Sequence, residues 1–389
     1  MTLRFLSSGE SHGRGLLLIL EGLPSHLKID SGRLSGELAR RRRGYGRGPR
    51  MALEKDVLTA WSGLRNGFTT GSPVSFSLEN SEWDKWKDIL DAWKVEEEAA
   101  VSKRVSRPRP GHADLPGAVK YSHKDIRNIL ERASARSTAA WTVAGTAGRL
   151  LLEELGVKIR SSVTSIGDVS VDPPANLREW EYAALSDLGC PRPEDEKRLI
   201  ERISRCAEDG DTLGGTFMLS ATGLPPGIGS HAEWDRRLDG CLAGALMSIP
   251  AIKGVEIGRG FELARIQGSS AHDEILPDSR GWKRRTNNAG GIEGGMTNGE
   301  EVFLSVAMKP IPTLKKSLIS IDITSGEEAV AAFERSDTCA VPAACIVGEA
   351  MFAWVFARTV MEQFGGDTLQ DLIERWESYL KRAGGFIHG

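Results

Sequence analysis

The chain has 389 residues, with 50 Lys and Arg against 53 Asp and Glu and 40% hydrophobic residues. Near charge balance excludes a polyanion-binding surface spread over the whole molecule and leaves only local basic islands. The 5 cysteines are scattered without a CxxC pair, which argues against a disulfide framework or a zinc site and fits reduced thiols.

The sequence opens MTLRFLSSGESHGRG, with no basic stretch leading into an apolar run. No uncharged apolar segment is long enough to span a bilayer, so a cytoplasmic protein without a signal peptide is expected. Its length admits one large domain or two medium ones. No repeat or long linker divides it, so a single domain over 1–389 is expected, with a C-terminal helical tail from about 366.

The run GLLLIL at 15–20 predicts a buried strand, closed by the turn Glu21-Gly22-Leu23-Pro24. Leu34 and Leu38 at helical spacing, with Asp30 or Ser31 as N-cap, predict a helix that runs into Arg40 to Arg43 and the loop Gly44-Tyr45-Gly46-Arg47-Gly48. Residues 57–80 alternate and turn as short strands do, and 83–104, rich in Trp, Lys and Glu, predict a solvated helical insertion. Three prolines and two glycines make 107–117 a loop. The longest helix signal starts near Ser134 and carries Ala139, Ala140, Val143, Ala144, Ala147, Leu150, Leu151 and Leu155 up to a stop at Gly156. Its small residues permit close approach, so it is placed centrally. A second long helix starts near Pro342 and stops at Gly365-Gly366. Strand-like runs at 157–164, 214–221, 252–258 and 301–308 complete an α+β rather than a regular βαβ pattern.

Four segments are costly to fold unless they bind something. His12 lies in Gly9-Glu10-Ser11-His12-Gly13, where it is either a proton-transfer group or a plain turn residue. The arginines of 40–47, interleaved with glycines, suit phosphate and carboxylate oxygens, with a solvated charge run or nucleic-acid binding as alternatives. His112 sits two residues from Asp114, and Arg132-Ala133-Ser134-Ala135-Arg136 opens the long helix, where phosphate is favoured. Like charge from the arginines is expected to make His112 resist protonation. The segment Asn287 to Gly299 has little side-chain bulk and reads either as backbone wrapped around a flat ligand or as a flexible loop. Asp337, before the second long helix, is a functional carboxylate or an N-cap. No Walker loop, Rossmann fingerprint or metal-ligand cluster is present, and no metal is expected.

Taken together, GESHG with its hydrophobic run and EGLP, RRRRGYGRGPRM, RPGHAD, ERASARSTAAWTVAG, SIPAIKGVEIG, NNAGGIEGGMTNG, KPIPT and RSDTCAVPAACIVGEAM resemble, in order and spacing, the signatures of the chorismate synthases. The resemblance covers about residues 5 to 360; Thr338 and Ala147 depart from the usual pattern without removing a catalytic group. It implies an α+β sandwich, a helical core between antiparallel β-sheets, assembled as a homotetramer. It implies a lyase of the shikimate pathway that performs anti 1,4-elimination of phosphate from 5-enolpyruvylshikimate 3-phosphate, giving chorismate. It further implies a requirement for reduced FMN without net redox change.

By position, the resemblance assigns Arg41, Arg47 and Arg136 to the substrate's anionic groups and makes His12 the general acid beside the leaving phosphate. His112 would protonate or stabilise the reduced flavin near N1, and Asp337 would accept a proton from flavin N5. Flavin contacts fall to Arg132, Ala133, Ser134, Pro250, Ala251, Gly294, Lys309, Pro310, Ile311, Pro312, Thr313 and Arg335. No additional nicotinamide-binding segment is apparent, so an external flavin reductase, rather than the chain's own NADPH-dependent activity, is expected. The loops at 40–50 and 287–299 are expected to be loosely packed until ligands bind, because clustered guanidinium groups repel and glycines gain little by ordering. The other readings of the arginines are a flavin-independent phosphate-ester enzyme and a nucleic-acid-binding protein built on Arg40 to Arg47; neither nucleic acid nor membrane is the expected partner.

Overall fold

The computed structural model describes residues 2–48, 56–278, 281–316, 318–334 and 337–386. In the N-terminal sheet, β1 (Arg4–Gly9), β2 (Gly15–Glu21), β3 (Leu58–Ser62) and β4 (Val74–Glu79) run antiparallel in the order β1-β2-β4-β3. Leu16, Leu18 and Leu20 of β2 pair with Leu78, Phe76 and Val74 and point into the core. Leu17 and Ile19 are 54% and 48% exposed, so the apolar run is buried on one face only.

The helices α1 (Ser31–Arg42), α2 (Trp83–Leu90), α3 (Asp114–Tyr121), α4 (Arg127–Ala133) and α5 (Thr138–Glu154) come next. Asp30 caps α1, its carboxylate accepting from the Arg33 amide at 2.8 Å. The second sheet contains β5 (Lys158–Ile166), β6 (Val169–Ser170), β7 (Gly215–Thr222), β8 (Ile252–Ile257) and β9 (Val302–Met308), antiparallel in the order β8-β9-β7-β5-β6. Helices α6 (Leu177–Leu185) and α7 (Pro193–Glu208) pack along β5, and α8 (Leu238–Met247) precedes β8. Then come α9 (Val341–Phe364) and α10 (Leu369–Gly384), the latter docked through buried Leu372 and Trp376.

Helices α5 and α9 form the central layer: α5 meets β1 and β2, α9 meets β5 and β7, and the two helices pack on each other. The small residues make that approach possible. A Cβ on Gly145 would lie 2.2 Å from the Ala350 carbonyl oxygen. The architecture is thus the expected α+β sandwich. α9 is long and apolar enough to cross a membrane by length and composition, but its hydropathic stretch is 83% buried inside the protein.

Charges also enter this layer. Glu349 of α9 accepts two bonds from Arg40 at 3.1 Å each, and pairs with Arg149 of α5 and Ser161 of β5. Burial pushes its carboxyl up, but Arg40 and Arg149 outweigh burial and hold it well below the usual range. The arginine run is therefore not one ligand patch. Successive helical residues point about 100° apart. Arg40 serves the core, Arg42 pairs with buried Asp56 at 3.4 Å, and only Arg41 of the three reaches the cavity described below.

The segment 287–299 is packed by the protein itself, contrary to the expectation of a loose loop. Asn288, Thr297 and Asn298 are buried, and Asn287 Nδ2 donates to the Glu301 carbonyl at 2.8 Å. Gly290 has φ 65° and backs directly onto Gly258, where a Cβ would meet its Cα at 2.3 Å. Its glycines allow backbone to touch backbone.

Candidate active site

A cavity of about 520 Å³ opens where the central helices emerge from between the sheets. Its lining comes from distant parts of the chain: the loop after β1, the end of α1, the 107–113 loop, the break between α4 and α5, the segments 249–251 and 308–313, and the start of α9. That break lies where the sequence predicted the long helix to start, near Ser134. Ser134 leaves helical geometry and a 3-10 turn over Ala135–Ser137 intervenes, so α5 begins at Thr138.

Two histidines line this cavity, and each is fixed at Nδ1 by a buried carboxylate. The Glu131 carboxylate accepts from the His12 amide at 2.8 Å and lies 3.0 Å from His12 Nδ1. Arg127 Nη1 donates to Glu131 at 3.0 Å. Burial pushes the Glu131 carboxyl up, but the bonds from His12 and the charge of Arg127 hold it below its ordinary value. Asp114 lies 2.5 Å from His112 Nδ1 and accepts from Arg109 Nε and Nη2 at 2.8 and 3.1 Å. Here too burial opposes ionisation, and His112 and Arg109 overcome it to keep Asp114 well below the carboxylate range. In both pairs the carboxylate accepts the Nδ1 hydrogen, so Nε2 is the ring nitrogen on the side away from that bond; Arg109 Nη2 also approaches His112, 3.1 Å from Nδ1 and 3.5 Å from Nε2. The sequence-based view of His112 considered only like charge; the structure sets an anionic partner directly against its ring.

Three arginines of the lining are held in different ways. Arg41 donates from Nε to Thr138 Oγ1 and from Nη2 to the Ala135 carbonyl, both at 3.0 Å. Arg47 Nε lies 3.2 Å from Asp337, whose other oxygen accepts from the Gly48 amide at 2.6 Å. The Gly44–Gly48 loop is thus anchored by protein contacts, while 49 and 50, also expected to be loose, lie outside the described residues. Asp337 is not a helix cap, because α9 is preceded by Ala340 at the cap position. Arg136 pairs with Asp56 and donates from Nε to Asn80 Oδ1 at 3.0 Å.

The remaining wall is mostly apolar: Ile249, Pro250, Ala251, Met308, Ile311 and Pro312, with Ala340, Ala343, Ala344 and Val347 from the start of α9. Ala251 carries φ 68°, a left-handed conformation that costs a non-glycine residue about 1–3 kcal/mol and is concentrated at ligand clamps. Lys309 donates from Nζ to the Gly111 carbonyl at 2.6 Å, tying this wall to the histidine loop. Burial and the nearby Lys253 lower its ammonium below the ordinary lysine value.

Of the residues singled out from sequence, His12, His112, Asp337, Arg41, Arg47, Arg136, Ala133, Ser134, Pro250, Ala251, Lys309, Ile311, Pro312 and Thr313 converge on this cavity. Arg132 instead donates to the Ser7 and Gly9 carbonyls at 2.8 and 3.2 Å, and Pro310 is exposed. Gly294 lies at the tip of the hairpin Ile292–Glu293/Met296–Thr297, outside this lining. Arg335 lies outside the described residues. Sequence reasoning missed Arg109, Asp114 as a partner, Glu131 and Trp86. The first three stand beside residues already singled out, but only the fold shows what they bind.

A cavity of this size is within the roughly 300–1,000 Å³ usual for small-molecule and cofactor sites. Apolar walls with small side chains admit a flat ring system, and Arg41, Arg47, Arg109 and Lys309 supply cationic donors for phosphate or carboxylate. Among the described residues there is no cluster of three or more His, Cys, Asp or Glu able to hold a metal.

Comparison with known proteins agrees with this geometry. The family model described as chorismate synthase matches residues 3–361. A chorismate synthase of Desulforudis audaxviator is 52% identical over 384 residues, covering 98% of each chain. One of Aquifex aeolicus is 48% identical over 396 residues, covering 99% of each. A solved chorismate synthase crystal structure superposes with a TM-score of 0.80 at 41% identity, covering 99% of both chains.

Proposed function

Because the chain belongs to the chorismate synthase family, we propose that it eliminates phosphate from 5-enolpyruvylshikimate 3-phosphate to give chorismate. It is an enzyme, a lyase. The observation that carries the reading is the convergence of two carboxylate-fixed histidines, the Arg47–Asp337 pair and Arg41 on one cavity.

The substrate carries a phosphate and two carboxylates. Arg41 and Arg47 meet these anions with charge-assisted bonds, and Arg136 adds a third contact from a position fixed by Asp56 and Asn80. His12, with Glu131 on Nδ1, presents Nε2 as the proton donor to the departing phosphate oxygen. The arginines stabilise the charge that develops there. Reduced FMN, when bound, supplies electron density to the breaking C–O bond, chemistry that no side chain provides. The apolar wall at 249–251 and 308–313 suits its ring system, and Ala133, Ser134, Lys309 and Thr313 its polar groups. His112 Nε2 is the donor that stabilises negative charge on the reduced ring. Asp337 is the carboxylate that takes up a proton as the C6 hydrogen leaves. Arg47, 3.2 Å away, and the Gly48 amide hold this carboxylate in place.

Exposed Leu6, Leu17, Ile19 and Trp61 lie on the outer face of the N-terminal sheet and support assembly of copies, which we take to be a homotetramer. A cytoplasmic location and dependence on an external flavin reductase complete the proposal. The test is an anaerobic assay with chemically reduced FMN, in which chorismate should form with no net flavin oxidation. NADPH and oxidised FMN without another reductase should give none. Chorismate formed in air from oxidised FMN with no reductant would refute the mechanism.

A further inference from the structure

The polar sequence of 83–104 predicted a solvated insertion, and α2 indeed buries none of its residues. A surface helix without a buried side chain contributes little to a core. Its Trp86 nevertheless lines the cavity. The indole lies over the His12 imidazole with ring centroids 4.3 Å apart and planes 31° from parallel. Arg127 lies over the same tryptophan, its guanidinium carbon 4.9 Å from the ring centroid. Arg127 is in turn bonded to Glu131, to Glu334 at 3.3 Å and to the Lys103 carbonyl at 2.8 Å. The contacts close a ring of four residues: His12, Trp86, Arg127, Glu131.

We propose that Trp86 is a positioning residue for His12, setting the plane of the imidazole so that Nε2 meets the leaving group. This rests on the assignment of His12 as the proton donor. A hydrogen bond at Nδ1 fixes one atom of the ring but does not by itself set the plane of the ring. A flat surface on the ring face constrains the plane, and Arg127, over the same indole, helps to hold that surface in place. The root of the same segment supports the same loop. Asn80 donates from Nδ2 to the Glu10 and Gly13 carbonyls at 3.0 and 2.8 Å, on either side of His12. The segment therefore holds both the backbone and the ring of the histidine. Its ring meets an imidazole and a guanidinium, contacts that a volume-filling role does not call for.

Misplacing a reacting group by about 1 Å costs on the order of 100-fold in rate. Trp86→Ala and Trp86→Leu should each lower kcat by roughly 10- to 100-fold with KM for the substrate changed by less than about 3-fold, and Trp86→Phe should restore most of the rate. Leu keeps apolar volume without an aromatic face, so it separates positioning from filling and guards against an unfolded Ala variant. The second readout is the ¹³C-histidine NMR spectrum of the full ligand-free chain, with His12→Gln used to assign the His12 signals. Ring-current shifts of His12 should be present in the wild type and Trp86→Phe and lost in Trp86→Leu. Full kcat in Trp86→Leu, a rise in KM alone, or unshifted His12 signals in the wild type would overturn the proposal. Should the wild type fail to form chorismate, the functional reading falls while the NMR comparison still decides whether the indole orients His12.

Discussion

Asp114→Asn separates orientation of His112 from mere burial of a charge. The wild-type carboxylate accepts every hydrogen offered to it, from His112 Nδ1, from two nitrogens of Arg109 and from the Arg109 amide at 3.0 Å. An asparagine has the same shape but one acceptor oxygen and one donor nitrogen. If the oxygen stays with Arg109, the amide donates to His112 Nδ1, and the ring hydrogen is forced onto Nε2. Nε2 can still donate from that ring, but no anion then faces Nδ1 to support a hydrogen on both nitrogens, and with it the positive charge that would face the reduced flavin. Losing that support would cost at least ~100-fold, the scale of losing a positioned proton-transfer group. Removing the charge also leaves buried Arg109 without its anion, at a cost of about 3–5 kcal/mol of stability. The assay is therefore anaerobic kcat at a temperature where near-UV circular dichroism shows the variant folded, for Asp114→Asn, His112→Ala and the double variant. If Asp114 acts through His112, the double variant should be no slower than His112→Ala, because residues acting as a unit are not additive. Losses that multiply in the double variant, or Asp114→Asn within about 3-fold of wild type, would refute the reasoning.

The sequence made the framework legible because its signals are local. Small and apolar residues at helical spacing placed α5 and α9, and short apolar runs placed β5, β7, β8 and β9 within two residues of their ends. The glycine-flanked histidines were legible for the same reason. Pairing across the chain was not. Nothing near Arg40 announces Glu349, 309 residues away, and nothing near His12 announces Glu131, 119 residues away. A charge in a sequence states what a side chain can bond, whereas the fold decides whether its partner is protein or ligand. Helical geometry does argue that Arg40, Arg41 and Arg42 cannot share a face, so part of that division was implicit in the run itself. The glycines of 287–299 misled because ligand cradles and tight backbone contacts demand the same residue. Trp86 was hidden in a segment whose average polarity said solvent, although one aromatic side chain sufficed to reach the site.

Two further outcomes follow from the charges of the site. Arg41→Ala or Arg47→Ala should raise the substrate Kd more than that of FMN, by roughly 1.5–3 kcal/mol, since each removes a charge-assisted bond to a multiply charged ligand. Equal weakening of both ligands, measured by calorimetry, would assign these arginines to the wrong partner. The other outcome concerns acid. Asp114 in the folded protein is held well below its ordinary value, burial being outweighed by His112 and Arg109. In the unfolded chain it titrates near about 3.9. A depressed folded value means the unfolded state binds the proton first, so stability rises with pH through this range. The contribution is fully present above pH ~4 and declines as pH falls below it, by up to about 1.4 kcal/mol per pH unit. Asp114→Asn has no proton to bind at that position. Its unfolding free energy should therefore fall less steeply than the wild type's between pH ~4 and ~2, even though it starts lower. Denaturant midpoints at several pH values give the two slopes directly. Parallel slopes would mean that Asp114 is not ionised against His112 and Arg109 in the folded protein, and the argument that Asp114 acts through His112 would fail with it.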